Sequence, residues 1–235
     1  MALTAANHEE VLRRVWLFSG LHRSEIARVG SLALVRRYAA REMVVRQGDD
    51  SGDLFAVLSG RLKVTWNDAE GGEVLLSILE SGDVFGEIAL LDDRPRSATV
   101  TAMESCELLM VDRAGFRTLL ATVPTLALNL LLVMSRRLRD LSDRTQNMSV
   151  LNVECRLAKV ILQLAERFGK EERRGEILLT LKLSQQELAN MVGATREFVN
   201  RCLRGWQDQG IIELSKGRVV IRDVAALAAV CESPP

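Results

Sequence analysis

Two neighbouring runs of residues carry the side chains that an anion-binding site needs. They read FGEIALL from residue 85 and RPRSATV from residue 94. Gly86 lets the backbone approach a ligand closely and leaves N–H groups exposed. Arg96 offers a permanently charged donor fork suited to a phosphate, and Ser97 adds a hydroxyl donor. Glu87 is an acceptor that could hold a sugar hydroxyl, so the two runs predict an anion cradle. The alternative is a short helix, an acidic loop and a buried strand that starts at Ala98.

A second set of polar side chains is spaced for a helix-turn-helix. The run Ser184-Gln185-Gln186-Glu187 is a capping box, which opens a helix that runs to Val192. Gly193 makes the turn, and Thr195 caps a second helix from Arg196 to Gln209.

The second of these helices has one apolar and one polar face. Val199, Leu203 and Trp206 share the apolar face. The opposite face presents Glu197, Asn200, Arg201 and Arg204. In a DNA major groove, arginine pairs with guanine edges and glutamate with cytosine amino groups. The polar face is therefore predicted to read base edges.

Strand and turn signals follow this helix. Two short apolar runs, 211–214 and 218–221, flank the turn Ser215-Lys216-Gly217 and indicate a two-stranded wing. A terminal helix is predicted from Val224 to Val230, and Lys216 is predicted to contact a DNA phosphate. The alternative is a generic small helical domain, which the order of helix, turn, helix and wing disfavours.

Composition limits the classes of protein that fit. The 235 residues include 31 Lys plus Arg and 31 Asp plus Glu, so the net charge does not indicate nucleic acid binding by itself. No apolar run approaches the roughly 20 residues that span a bilayer, and residues 1–10 lack a signal peptide's pattern. A cytoplasmic protein without membrane contact is expected.

Neither a metal site nor an enzyme is expected. The 4 cysteines are far apart in the sequence, and the 2 histidines do not complete a metal-ligand spacing with them. No nucleophile lies beside a base and no P-loop occurs.

Between Tyr38 and Asp112 the chain alternates short β-branched runs with turn residues. Helices are predicted before this region, over residues 8–19 and over Ser24–Leu34 with Ser24 as N-cap. Six strands are predicted, at 43–45, 54–58, 62–66, 74–79, 97–101 and 107–111. Many short strands with regular turns are typical of a β-sandwich or barrel.

A long helix is predicted from Pro124 to Ser149. Seven residues repeat along it at alternate spacings of four and three, Ala127, Leu131, Met134, Leu138, Leu141, Thr145 and Met148. This heptad seam favours a two-stranded coiled coil and hence a homodimer. The alternative is a helix packed only on its own domain. A further amphipathic helix over residues 150–168 and a charged loop over 169–175 complete the prediction.

The runs at 85–91 and 94–100 resemble the phosphate-binding cassette of cyclic-nucleotide-binding domains, and the likeness covers roughly residues 10 to 122. Residues 184–221 resemble the winged helix-turn-helix of the cyclic-AMP receptor protein family, the CRP/FNR superfamily. In that family the motif R-E-x-V-x-R reads base edges, and here it spans residues 196–201. The N-terminal cysteine cluster of the related iron–sulfur sensors is absent from this sequence.

The resemblance implies an α+β fold. It comprises a jelly-roll β-barrel domain over residues 1–123, a dimerisation helix over 124–149 and a winged helix-turn-helix domain over 150–235. The expected effector is cAMP, with cGMP possible. The expected partners are a second copy of the chain, palindromic double-stranded DNA with T-G-T-G-A half-sites, and RNA polymerase.

The resemblance also implies site residues. The phosphate would meet Arg96, Ser97 and backbone near Gly86 and Ala98, the ribose would meet Glu87, and the base would face the long helix. The implied ligand site comprises Gly86, Glu87, Ile88, Ala89, Arg96, Ser97, Ala98, Arg137, Leu141 and Ser142. The implied DNA contacts are Ser184, Gln185, Thr195, Arg196, Glu197, Asn200, Arg201, Arg204 and Lys216.

Other functions fit less well. A regulator that needs no ligand is disfavoured by the intact Arg96, Ser97 and Glu87. A kinase regulatory subunit usually carries two tandem nucleotide domains, whereas this chain has one, and a channel needs membrane helices.

Overall fold

The computed structural model describes residues 12–70, 72–172, 175–215 and 217–231. It divides into two compact units, with the boundary between Leu138 and Arg139. Lys216 and the start of the helix predicted over 8–19 lie outside the described residues.

The first unit is built on two antiparallel four-stranded sheets, with the orders β1-β8-β3-β6 and β2-β7-β4-β5. The strands are β1 (Ala33–Tyr38), β2 (Met43–Val45), β3 (Leu54–Ser59), β4 (Leu62–Asn67), β5 (Glu73–Leu79), β6 (Val84–Phe85), β7 (Thr99–Ala102) and β8 (Cys106–Val111). The predicted jelly-roll class is confirmed.

Strand β3 contributes to two separate hydrophobic core clusters, one on each of its faces. Its alternate residues Phe55 and Val57 belong to a core cluster that also contains residues of the second sheet, such as Leu62 and Val100. Leu54 and Ala56 belong to a different cluster, formed with the helices. Because successive side chains of a strand point to opposite faces, an unbroken apolar run is needed where both faces are covered.

The first unit contains helices α1 (Arg23–Leu32), α2 (Glu87–Asp92), α3 (Arg113–Thr122) and most of α4 (Pro124–Val150). The N-cap predicted at Ser24 is wrong, because α1 begins at Arg23 with His22 as N-cap. The Glu25 carboxylate accepts from the His22 backbone N–H at 2.7 Å. Within the described part of the helix predicted over 8–19, the structure has a short 3-10 turn, Trp16–Phe18.

Helix α4 is continuous over 27 residues. One face of its first turns is buried, at Leu126, Asn129 and Leu130, and the Asn129 side chain donates to the backbone carbonyls of Leu17 and Ser19 at 2.9 and 2.8 Å. Further along, four of the seam residues are exposed over more than half of their surface, Leu131, Leu138, Leu141 and Met148. Among the described residues no single helix is long and apolar enough to cross a membrane, although α3 and α4, bent by 110°, meet that test jointly.

The second unit combines a four-stranded antiparallel sheet with four helices among its described residues. The sheet order is β11-β12-β10-β9, with β9 (Gly169–Glu171), β10 (Ile177–Leu179), β11 (Ile212–Ser215) and β12 (Arg218–Ile221). The helices are α5 (Val153–Phe168), α6 (Gln185–Val192), α7 (Arg196–Asp208) and α8 (Val224–Ala229). The charged stretch predicted as a loop begins instead with β9, which pairs with β10.

Candidate ligand site and DNA-binding surface

The backbone around Gly86 forms a sharp strand-to-helix turn. Strand β6 ends at Phe85, Gly86 has φ 90°, and α2 begins at Glu87. A Cβ atom at residue 86 would collide with the Asp53 carbonyl oxygen and with Nη1 of Arg96. Glycine is therefore required here both for its positive φ and for the close approach of its neighbours.

Arg96 is buried behind this turn, with 4% of its surface exposed. Its Nε donates to Ser51 Oγ at 2.9 Å, its Nη1 to the Gly86 carbonyl at 3.1 Å and its Nη2 to the Asp53 carbonyl at 2.9 Å. Burial lowers the pKa of the guanidinium, while the nearby carboxylates of Asp53 and Glu87 oppose this shift. Arg96 thus ties the loop around residue 52 to the turn at residue 86.

Ser97 and Ala98 follow Arg96 on the way into β7. Ser97 is exposed and Ala98 is half-buried, whereas Thr99, the first residue of β7, is buried. The predicted cradle residues Gly86, Arg96, Ser97 and Ala98 therefore combine a buried cation with accessible neighbours.

Glu87 is an acidic residue of the first unit whose side chain is buried. It is 1% exposed, and its Oε1 pairs with Arg137 of α4. Its Oε2 is buried without a hydrogen-bond partner. Burial raises the pKa of this carboxyl above its ordinary value, and the nearby charges of Arg137 and Arg96 oppose the rise. A buried carboxylate oxygen without a donor is costly, so the position favours a polar ligand that donates to it.

The long helix brings Arg137 to the same place. Its guanidinium donates to Glu87 and to the Val84 carbonyl, so it contacts residues on either side of the turn. Leu141 and Ser142 lie one turn further along α4, in the second unit, and both are exposed. Of the remaining predicted residues, Ile88 on α2 is exposed and Ala89 is buried.

Sequence reasoning missed a cluster at the other end of α2. The C-cap residue of this helix is Asp93, a non-glycine residue with φ 57°. Arg113 and Arg117 of α3 donate to the Asp93 carboxylate, at 2.6 and 2.7 Å, and hold its pKa below the usual range. They also reach the carbonyls of Ala89 and Leu90. The four-residue spacing of the two arginines was a signal that they share a helix face.

The helix-turn-helix is capped as predicted. Ser184 Oγ accepts from the Glu187 N–H at 3.2 Å, and the Glu187 carboxylate accepts from the Ser184 N–H at 2.7 Å. Gly193 has φ 64°, and Thr195 Oγ1 accepts from the Phe198 N–H at 3.2 Å. Ser184 and Thr195 are exposed, and Gln185 is half-buried.

Helix α7 separates its faces as the sequence predicts. Val199, Leu203 and Trp206 are buried. The side chains on the polar face are exposed at Arg196, Glu197, Arg201 and Arg204 and half-buried at Asn200. The Arg201 guanidinium lies 5.3 Å from the centre of the Phe198 ring. An exposed face of this charge on the second helix of such a motif is suited to a DNA groove.

Two stretches of the chain match known domain families. Residues 35–123 match the cyclic nucleotide-binding domain, and residues 155–230 match the Crp-like helix-turn-helix domain. Together with the geometry of the two units, these matches define a transcription regulator that has a cyclic nucleotide-binding domain and a DNA-binding domain.

Similar proteins agree with this class. The chain is 33% identical over 220 residues to the CRP-like cAMP-activated global transcriptional regulator of Mycobacterium tuberculosis (strain CDC 1551 / Oshkosh), covering 94% of this chain and 98% of that protein. It is 30% identical over 188 residues to the cAMP-activated global transcriptional regulator CRP of Escherichia coli O157:H7, covering 80% and 89%. The chain therefore belongs to the CRP-like family of the CRP/FNR superfamily and is not an enzyme.

Solved structures include a regulator whose title names an effector other than cAMP. The c-di-GMP responsive global regulator CLP of Xanthomonas campestris superposes with a TM-score of 0.73 at 25% identity, covering 85% of this chain and 99% of that one. The catabolite activator protein of Thermus thermophilus gives 0.53 at 30% identity, covering 92% and 98%. Family membership thus does not identify the effector, which must be inferred from the residues of the ligand site.

Proposed function

We propose that this chain is a homodimeric transcription regulator whose affinity for a palindromic DNA site is controlled by cAMP. The observation that carries this proposal is the unpartnered Oε2 of Glu87, buried beside the turn at Gly86 and the guanidinium of Arg96. A ribose hydroxyl would supply the missing donor. The names of the curated relatives from Mycobacterium tuberculosis and Escherichia coli, which are cAMP-activated, support the same effector.

The cyclic phosphate fits the opposite end of the cradle. Three donor atoms of Arg96 are already bonded within the protein, yet a guanidinium has five N–H groups, so donors are left for an anion. The exposed Ser97 hydroxyl and the backbone N–H of Ala98 would complete the phosphate site, with Ile88 and Ala89 along its wall. The base would face Arg137, Leu141 and Ser142.

The two-state coupling follows from Arg137. A ribose that bonds to Glu87 changes the contact between Glu87 and Arg137 of α4, either by competing with it or by adding to it. The ligand would then bind with different affinity to two conformations that differ in the position of α4. Such differential contact is what an effector needs to shift a conformational equilibrium. We assign residues 1–123 to nucleotide binding, 124–149 to dimerisation and 150–235 to DNA reading.

The homodimer would form through the exposed seam of α4. Its leucines would pair with those of a second copy, as the heptad spacing favours. DNA contact is assigned to Ser184, Gln185, Thr195, Arg196, Glu197, Asn200, Arg201 and Arg204, with Lys216 in the wing. A regulator of this class acts on DNA in the cytoplasm and would meet RNA polymerase there.

Two observations favour a second candidate, a regulator that responds to cGMP or needs no ligand. Leu141 offers no polar atom to the base, so discrimination between adenine and guanine has one hydrogen-bonding position fewer than with a hydroxyl there. In addition, Arg137 already satisfies one oxygen of Glu87. We therefore expect cGMP to compete with cAMP appreciably.

The deciding experiment is calorimetric titration of the purified protein with cAMP and cGMP, paired with fluorescence anisotropy on a palindrome of T-G-T-G-A half-sites. Binding of cAMP together with stronger DNA binding in its presence supports the proposal. Equal DNA binding with and without either nucleotide would identify a ligand-independent regulator. Tighter binding of cGMP than of cAMP would reverse the effector assignment.

A further inference from the structure

Arg156, in the first turns of α5, joins two helix ends within the second unit. Its Nη1 donates to the Leu151 carbonyl at 2.8 Å, and its Nε donates to the Val192 carbonyl at 2.9 Å. Leu151 follows directly on the last residue of α4, and Val192 is the last residue of α6. One side chain therefore holds the end of the long helix and the end of the first helix of the helix-turn-helix.

Helix ends are the places where such a cation has most effect. The last carbonyls of a helix have no intrahelical donor, and the partial negative charge there favours a positive side chain. The guanidinium carries several donors in a rigid fork, so it can serve two carbonyls at once, whereas a lysine ammonium is a single compact charge on a flexible stem. Arginine is thus specifically suited to this bridge.

Two further contacts join the end of α4 to the rest of the second unit. The Lys159 ammonium of α5 donates to Asn147 Oδ1 of α4 at 3.3 Å. The terminal methyl of Met148 lies 3.4 Å from where a Cβ at Gly193 would be, so it packs on the turn of the helix-turn-helix. The last two turns of α4 are therefore fixed to the DNA-binding domain on two sides.

The first turn of α5 also reaches the second helix of the motif. Glu154 Oε1 accepts from the indole N–H of Trp206 at 3.1 Å. Trp206 belongs to the buried face of α7, opposite Arg201 and Glu197. If the end of α4 moves, the contacts of Glu154 and Arg156 would therefore move both helices of the motif with it.

We propose that Arg156 is the positioning residue that transmits the state of the long helix to the DNA-reading helices. This inference rests on the proposed function, since it concerns how effector binding changes DNA affinity. It assigns to Arg156 no contact with nucleotide or DNA. Its loss should break the link between the two ligands while each can still bind.

The test uses the full-length protein with Arg156→Lys, which keeps the charge but not the fork. Arg167→Gln is the matched control, because it changes an arginine at the other end of the same helix, where the guanidinium lies over the Phe168 ring. For each protein, DNA affinity is measured by anisotropy with and without cAMP, and cAMP affinity by calorimetry with and without DNA. Hydrogen exchange is followed at residues 147–151 and 192–195.

We expect wild type and Arg167→Gln to bind DNA more tightly with cAMP, by a factor of about 5–150. In Arg156→Lys this factor should fall to within about twofold of one, and by reciprocity DNA should no longer raise cAMP affinity. The affinity for cAMP without DNA should be unchanged. Amides of both segments should exchange faster only in Arg156→Lys.

Arg156→Lys with the wild-type coupling factor would overturn the inference, as would unchanged exchange in both segments. A wild type that does not respond to cAMP would instead refute the proposed function. In that case exchange still decides whether Arg156 fastens the two helix ends. Loss of coupling together with loss of cAMP affinity would also overturn the inference, because it would indicate a general loss of structure.

Discussion

Arg96 combines a structural role with the role proposed for it in ligand binding. On sequence alone its side chain is expected to face a ligand, so that its removal should leave the fold intact. The structure shows that three of its donor atoms bond to Ser51, Gly86 and Asp53, so we expect its removal to affect the fold as well. These partners lie up to 45 residues away, and no local pattern reveals them. Its type was predictable from the sequence, but its internal partners were not.

Replacing Arg96 by Leu should therefore have two effects. Affinity for cAMP should fall at least tenfold, because a charge-assisted contact worth about 1.5–3 kcal/mol is lost. The free energy of unfolding should also fall by about 1–3 kcal/mol, since the part-buried carbonyls of Gly86 and Asp53 lose a donor. Calorimetry and urea denaturation measure the two effects.

Arg37→Leu is the control for this change, because Arg37 forms an ion pair with Glu107 on the barrel surface, where 69% of its side chain is exposed. It should cost no more than about 1 kcal/mol and leave cAMP binding unchanged. A folded Arg96→Leu protein with wild-type affinity would refute the phosphate assignment.

Glu87 predicts a pH dependence whose sign is fixed by its burial. Because its folded pKa is raised, the folded protein binds more protons than the unfolded chain above the ordinary value of 4.5. The stability of the ligand-free protein should thus fall as the pH rises through this window, and Glu87→Gln should flatten the slope. Affinity for cAMP should rise over the same window, because a donating hydroxyl favours the carboxylate. Thermal melts and titrations at several pH values measure both.

Glu104 supplies a control of opposite sign. Its hydrogen bond with Arg61 lowers its pKa, so its contribution to stability is lost as the pH falls. Glu104→Gln should change the acid side of the stability profile and leave cAMP affinity as it was. Equal slopes in wild type and Glu87→Gln would show that Glu87 does not titrate in this window.

At the scale of elements, secondary structure is predicted best where caps, turn residues and apolar spacing all indicate the same element. The helix-turn-helix has caps, a glycine turn and a clear apolar face, and its two helices begin at the predicted residues 185 and 196. Strand β1 (Ala33–Tyr38) was missed, because its residues continue the apolar spacing of α1 and its pairing with β8 is a long-range contact. The contact of Arg137 with Glu87, also long-range, was likewise beyond the sequence pattern.

The exposed face of α7 gives a prediction about base selectivity. Arg201→Ala should weaken binding to the preferred palindrome by about 1–3 kcal/mol and relax selectivity at one base position. Lys216→Ala, at the turn that the sequence predicts for the wing, should instead weaken binding to all sequences about equally, as loss of a phosphate contact does. Anisotropy against a set of single-base variants separates the two patterns. Wild-type affinity and selectivity in Arg201→Ala would mean that α7 is not the recognition helix.

For the whole molecule, the exposed leucines of α4 are informative because they are of two kinds. Leu138 belongs to the heptad seam and Leu128 does not, yet 67% and 61% of their surfaces are exposed in the single chain. Leu138→Lys should destabilise the dimer by about 1.5–3 kcal/mol for each protomer, whereas Leu128→Lys should leave it intact. Sedimentation equilibrium gives both dissociation constants. Equal dissociation of the two variants would contradict a seam at these positions.

The hydrogen bond between Trp206 and Glu154 also makes the intrinsic fluorescence of Trp206 a probe of the first turn of α5. Trp206 is 2% exposed in the second unit, while in the first unit Trp16 lies under the Arg136 guanidinium at 4.0 Å and Trp66 is 43% exposed. The three indoles therefore differ in environment, since Trp206 is buried, Trp16 lies against a guanidinium and Trp66 is exposed to water. With Trp16 and Trp66 replaced by Phe, emission would come from Trp206 alone. Its intensity would follow the first turn of α5 in real time, without any attached dye.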